Sequence, residues 1–145
     1  MRLIVQDTPF DLAAELETFG QDSLTGAVVS FTGRVRDDTG TLEALELEHY
    51  PGMTERAFAQ IAETAQRRWQ LTDLTIIHRV GRLAPGEPIM MVATASPHRK
   101  AAFEAAEYLM DFLKSRAPFW KKEHFSDHSK WVSAKQNDED ALSRW

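Results

Sequence analysis

The sequence predicts an α+β fold, a mostly antiparallel sheet with helices packed on it, in a single domain over residues 1–145. Three observations carry that reading. Apolar residues recur at helical period in two long stretches, period-two alternation marks two others, and Ile89–Ala95 is an unbroken apolar run between turn signals. Taken in order, the elements read β-α-β-β-α-β-β-α-β, without repeats or a linker.

Leu3–Val5 is a short strand, and Asp11–Phe19 is a short helix with Leu12, Leu16 and Phe19 on one side, ended by Gly20. From Gly26 the period changes: Ala27, Val29 and Phe31 alternate with Val28, Ser30 and Thr32, up to Gly33-Arg34-Val35-Arg36. Asp37–Gly40 is a turn or a mobile loop. Leu45, Leu47 and His49 then alternate with Ala44, Glu46 and Glu48, giving a strand expected to pair antiparallel with the preceding one. Tyr50-Pro51-Gly52 breaks it. Thr54 is the expected N-cap of a helix carrying Phe58, Ile61, Ala65 and Trp69 on one face. Leu74–Val80 is a strand, Arg82–Pro88 a turn with Pro85-Gly86 suited to type II, and Ile89–Ala95 a central strand. Ser96 as N-cap and Pro97 at the first helical position open the last long helix, Pro97–Lys114, with Phe103, Ala106, Met110 and Leu113 as its apolar stripe. Pro118 forbids continuation and pushes Ala117 out of the α region, so Phe119-Trp120 opens a strand or tight loop.

A chain of 145 residues that is 43% hydrophobic can bury a sizeable core, roughly 68% of its unfolded surface. No apolar run approaches the roughly 20 residues of a membrane span, and the first ten residues lack a signal-peptide pattern, so a soluble cytoplasmic protein is expected. The chain has no cysteine, which excludes disulfides, thiolate metal ligation and sulfur carried on its own side chains. A net charge of −5 argues against nucleic acid as partner. Local basic clusters in such a chain point instead to a small anionic ligand.

The densest cluster is Lys114, Arg116, Lys121 and Lys122 around Pro118, with Phe119 and Trp120 between. Lys114 and Arg116 sit where cations compensate a helix C-terminus. That account does not reach Lys121 and Lys122, which face opposite ways in an extended segment, Lys121 opposite to Trp120. A second cluster, His98, Arg99 and Lys100, puts cations in the first turn of a helix. Either an anion binds there or the cations reach sideways to acids such as Glu104. Arg34 and Arg36 share a strand face and could fork onto phosphate or be solvated. His124, Asp127 and His128 superficially suggest metal ligands, but no helical spacing supports them and no metal or cofactor is expected. His49 and His78 read as hydrogen-bonded structural residues.

The segments GAVVSFTGRVR (26–36), LEHYPGMTE (47–55), IHRVGRLAPGE (77–87), SPHRKAAFEA (96–105) and MDFLKSRAPFWKKE (110–123) together resemble the large, catalytic subunit of molybdopterin synthase, over about Gly26 to Lys135. The resemblance implies an α/β hammerhead-type fold and a homodimer of this chain within a heterotetramer. It also implies a small ubiquitin-like subunit whose Gly-Gly C-terminus carries sulfur as a thiocarboxylate. The implied reaction places two sulfurs on cyclic pyranopterin monophosphate to form the molybdopterin dithiolene.

Carried over by motif, the resemblance implies Lys114 and Lys121 as catalytic residues. It assigns Arg36, His98, Arg99, Lys121 and Glu123 to the substrate, and Phe119, Trp120 and Arg116 to the pocket for the partner's tail. In that scheme the thiocarboxylate reaches Lys114 first, and Lys121 stabilises charge. A non-catalytic module that binds anions or a ubiquitin-like tail would use the same cations.

Overall fold

The computed structural model describes residues 1–133 and 135–145. Among the described residues, eight strands and four helices follow in order as β1 (Arg2–Gln6), α1 (Leu12–Glu17), β2 (Ala27–Arg34), β3 (Leu42–His49), α2 (Met53–Trp69), β4 (Asp73–Arg79), β5 (Gly81–Leu83), β6 (Pro88–Ser96), α3 (Arg99–Ser115), β7 (Phe119–Phe125), β8 (Ser129–Trp131) and α4 (Gln136–Ala141), with a 3₁₀ turn over Leu142–Arg144. The class is α+β as the periodicities predict, but the strands form two sheets rather than one. The first has the order β1-β4-β6-β2 and the second β5-β3-β7-β8, and every pairing is antiparallel except β1 with β4.

That division corrects the expected pairing of β2 with β3. β2 pairs with β6, and β3 pairs with β5 and β7. The reason lies just after β2. Val35 is buried with Leu42, Leu47 and Leu83, its N–H donates to Glu87 O, and its carbonyl accepts from Gly86 N. The chain is thus held against the β5–β6 turn instead of folding back as a hairpin. Asp37 then organises the loop into β3, its carboxylate accepting from the N–H groups of Thr39, Gly40 and Leu42.

The two inner strands of the first sheet, β4 and β6, are buried on both faces. Phe58, Ala62 and Ala65 of α2 and Ala105, Tyr108, Leu109 and Leu113 of α3 pack on Leu74, Ile76, Met90 and Val92. Phe19, with Leu12 and Leu16 of α1, covers Ile77, Met91, Ala93 and Ala95. β6 is central, as expected of its apolar run. The turn before it has Gly86 at φ 87° and Glu87 N–H donating to Ala84 O, the type II geometry that Pro85-Gly86 predicts.

Three local expectations shift. α2 begins at Met53 after Gly52, so Thr54 lies inside the helix; its hydroxyl donates to Tyr50 O and accepts from His49 Nδ1. α3 begins at Arg99 with His98 as N-cap, because the Ser96 hydroxyl donates to His98 O instead of capping. Its buried stripe is Ala102, Ala105, Ala106, Tyr108, Leu109 and Leu113, while Phe103 is 62% exposed. Small alanines let α3 lie close on the sheet, and the larger ring is left outside.

The C-terminal residues, rich in polar side chains from Gln136 to Asp140, form a helix as well. α4 lies against α3 through a two-pronged Arg116–Glu139 pair, and Trp145 packs edge-on to Trp69 and Tyr108, with its Nε1–H donating to Asp111. Among the described residues no helix is long and apolar enough to cross a membrane.

Candidate functional site

The strands and α3 meet around a cleft of about 120 Å³. The end of β2 supplies Phe31, Gly33 and Arg34, and β4 supplies His78. The start of β6 supplies Ile89 and Met90, the last turns of α3 Met110, Leu113 and Lys114, and the chain beyond Pro118 Phe119 and Lys121. The placement follows from local rules. Lys114 extends from the helix end that Pro118 enforces, and β7 then returns along β3 with Phe119 and Lys121 on one face. No carboxylate lines the cleft among the described residues, so its charge is the cations Arg34, Lys114 and Lys121.

Burial, with the neighbouring cations adding to it, shifts the protonation of Lys121 and His78. Burial, and then the Lys114 ammonium, lower Lys121 from the ordinary lysine value to about 8. Burial lowers His78 further, to about 4, with Lys121, Lys114 and His49 adding to the effect. The His78 ring lies flat on Phe119, centroids 3.9 Å apart at 15°, and its Nδ1–H donates to Arg79 O at 2.8 Å. At neutral pH the cleft therefore holds cations beside a neutral imidazole. It can bind an anion and stabilise negative charge developing on an oxygen or sulfur.

The sequence-predicted residues divide between this cleft and other places. Lys114, Lys121 and Phe119 come together in it. Lys122 faces away, over the Trp131 ring at 5.2 Å, as strand alternation predicts. Trp120 is on that same outer face, 40% exposed and edge-on to Tyr50, and does not line the cleft. Arg116, paired with Glu139, lines an adjoining groove of about 460 Å³ between α2 and α3, which shares Ala117 with the cleft. Glu123 lies two residues beyond Lys121 on the same strand, opposite Leu45 and Lys130, outside the cleft lining. Arg36 is exposed beyond the end of β2, its Nε 2.8 Å from Asp38.

His98 and Arg99 are at the other end of α3 from Lys114, about 22 Å away along the helix axis. One chain does not bring them to the lysines. Lys100 is within 4.0 Å of Glu104, the sideways pairing that the sequence left open. His124 pairs with Glu46 and His128 with Asp127, two separate contacts.

Two cleft residues escaped the motif-based assignment. Arg34, flagged with Arg36 by strand period, lines the cleft and donates to Gly86 O. His78 lies inside the strand segment LTIIHR, where the sequence suggests a hydrogen-bonded structural residue and gives no signal that its ring reaches a cleft.

The family model described as "MoaE protein" matches residues 5–116. A molybdopterin synthase catalytic subunit of Cereibacter sphaeroides is 62% identical over 146 aligned positions, covering all of both chains. Among solved structures, the molybdopterin biosynthesis MoaE protein of Burkholderia ambifaria superposes with a TM-score of 0.85 at 48% identity, covering 99% of this chain and 97% of that one. The crystal structure of molybdopterin synthase from Staphylococcus aureus gives 0.82 at 39% identity, over 89% and 95% of the two chains.

Proposed function

The chain belongs to the MoaE protein family, and on that premise we propose that it is the catalytic subunit of a molybdopterin synthase. It transfers sulfur from the thiocarboxylated C-terminus of a small ubiquitin-like subunit to cyclic pyranopterin monophosphate, forming the molybdopterin dithiolene, in the cytoplasm. The 145 residues act as one domain.

The observation that carries this reading is the placing of Lys114 with Lys121 in a cleft that no carboxylate lines among the described residues, in a chain that has no cysteine. Sulfur must arrive on another molecule, and an anionic thiocarboxylate suits such a cleft. A flexible tail of five residues reaches at most about 16–18 Å, enough to pass from a docked partner to the lysines. Lys114, exposed at the rim, meets the tail first; Lys121, more buried, stabilises charge on the acyl oxygen. Phe119 forms one wall. Arg116 and Trp120 belong to the approach surface rather than the wall.

The reading also accounts for the separation of His98 and Arg99 from the lysines. β2 is the outer strand of its sheet and runs beside α3: Gly26 N–H donates to Ser96 O just before the helix at one end, and Arg34 and Lys114 line the same cleft at the other. Val28 and Phe31 of β2 and Phe103 of α3 are exposed. A two-fold pairing of two chains along this edge covers apolar surface and sets His98 and Arg99 of one chain opposite the lysine end of the other. The pterin phosphate is then held by Arg99 and His98 of one subunit, with Arg36 and Glu123 at the margin, and the sulfur is delivered by the other.

Mixing the purified chain with a thiocarboxylated carrier and the pyranopterin tests this. Dithiolene formation is the expected outcome; tail binding without product would make the chain a binding module.

A further inference from the structure

We infer that His78 is a further catalytic residue of the sulfur transfer: from its fixed place in the two-lysine cleft, Nε2 takes the proton of the water that releases the carrier's acyl group from sulfur. The inference rests on the sulfur-transfer reading above.

The geometry fixes the ring's chemistry. A backbone carbonyl can only accept, so the 2.8 Å contact with Arg79 O places hydrogen on Nδ1 and leaves the lone pair on Nε2. The stack on Phe119 prevents the ring from turning. Nε2 has no protein partner among the described residues, yet it is not one of the buried polar atoms sealed off without one, which are Arg79 Nε and Ser115 Oγ. It therefore opens on the cleft that His78 lines. The charged groups facing it are Arg34 from β2, Lys114 from α3 and Lys121 from β7, with His49 of β3 beyond Phe119. Every other ionisable side chain in the lining is a cation, so His78 is the lining's neutral proton acceptor.

The reaction needs such an acceptor. When the thiocarboxylate sulfur bonds to an electrophilic carbon of the pterin, a carbon–oxygen bond at that carbon breaks with its electron pair leaving on oxygen, and the carrier and the pterin are joined by a thioester. To free the sulfur, water oxygen bonds to the acyl carbon, the carbon–sulfur bond breaks, and its electron pair stays on sulfur as the pterin thiolate. One water proton passes to Nε2; the other leaves with the carrier's carboxylic acid, which ionises to solvent. Lys121, protonated at neutral pH, faces the oxyanion of the tetrahedral intermediate. Burial and the neighbouring cations keep the imidazole neutral beforehand, so its lone pair is free, and the same surroundings make the imidazolium it forms hand the proton on to solvent rather than retain it.

The test is a single turnover with thiocarboxylated carrier and cyclic pyranopterin monophosphate, quenched and followed by intact-mass spectrometry of the carrier–pterin adduct. In His78→Gln, whose amide oxygen can accept a hydrogen bond but not a proton, the adduct should form normally and decay about 100-fold or more slowly. His78→Phe, which keeps the stack, should behave the same. Adduct decay at the wild-type rate, or an equal loss in adduct formation, overturns the assignment. Should both variants misfold, the wild-type pH profile decides: decay should fall as pH rises through about 8, where Lys121 loses its proton. A rate that climbs through that pH makes Lys121 the base and overturns His78. A wild-type chain that yields neither adduct nor dithiolene defeats the sulfur-transfer reading itself.

Discussion

His78 and Phe119 stack face to face with their centroids 3.9 Å apart, and this contact joins β4 of one sheet to β7 of the other. Phe119 also lies 6.0 Å from Phe58 of α2, so one ring ties the strand that carries Lys121 to the main core. Phe119→Ala is expected to lower stability by about 2–3 kcal/mol, somewhat less than a fully buried phenylalanine because the ring is half-buried. Phe119→Leu should cost about 1 kcal/mol. Urea titration measures both, and turnover should fall in each as Lys121 loses its fixed position.

Lys121 is held at a cost to the fold. Its value of about 8 in the folded chain lies below the ordinary 10.5, so between those values the unfolded state binds more protons and stability rises with pH. Below about 8 the full penalty remains, at most roughly 3 kcal/mol and less after solvent screening of the partly exposed ammonium. Lys121→Met should therefore stabilise the protein at pH 7 by about 1–2 kcal/mol while abolishing turnover. Thermal melts at neutral pH check the sign; a destabilised Lys121→Met would mean that the ammonium is well satisfied where it lies.

His78 gives the opposite end of the pH range. Unfolded, it titrates near 6.5, and folded near 4, so stability is intact above the first value and falls as pH drops toward the second. The loss amounts to roughly 3 kcal/mol across that window. Carboxylates also titrate there. The wild-type minus His78→Phe difference, measured by denaturant titration at several pH values between 4 and 7, isolates the histidine; a difference that does not change with pH contradicts its burial as a neutral ring.

The two-fold arrangement is open to complementation. Arg99→Ala and Lys114→Ala homodimers should each be inactive, while mixed dimers carry one site with both wild-type residues. An equal mixture, reassembled, should regain about a quarter of wild-type turnover. No recovery would place Arg99 and Lys114 in functions that one chain completes alone.

Much of this was legible in the sequence, and the rest was hidden for identifiable reasons. Helices and strands announced themselves by period, and the Pro85-Gly86 turn by its backbone requirements. Strand pairing did not, because it depends on distant segments: Glu46 of β3 meets His124 of β7 across 78 residues. The stripe of α3 was legible at Ala106, Met110 and Leu113 but not at its start, because a large apolar residue attracts notice, whereas Ala102 and Ala105 do the packing there and Phe103 stays outside. In the site, Lys114, Lys121 and Phe119 were readable from their motif around Pro118. Arg34 was obscured by Arg36, which lies past the strand end and turns to Asp38. His78 could not be read, because a histidine's role is set by the partner of one nitrogen and the surroundings of the other.

The central claim is that sulfur leaves the carrier at the Lys114–Lys121 cleft, and adjacent lysines on opposite faces of β7 test it most directly. Initial rates of dithiolene formation at saturating thiocarboxylated carrier and pyranopterin should fall about 100-fold or more for Lys121→Ala, the loss of about 2.7 kcal/mol of charge stabilisation. Lys122→Ala, which removes only the contact over Trp131, should stay within about twofold of wild type. Equal losses at the two positions, or wild-type turnover by Lys121→Ala, would contradict the account.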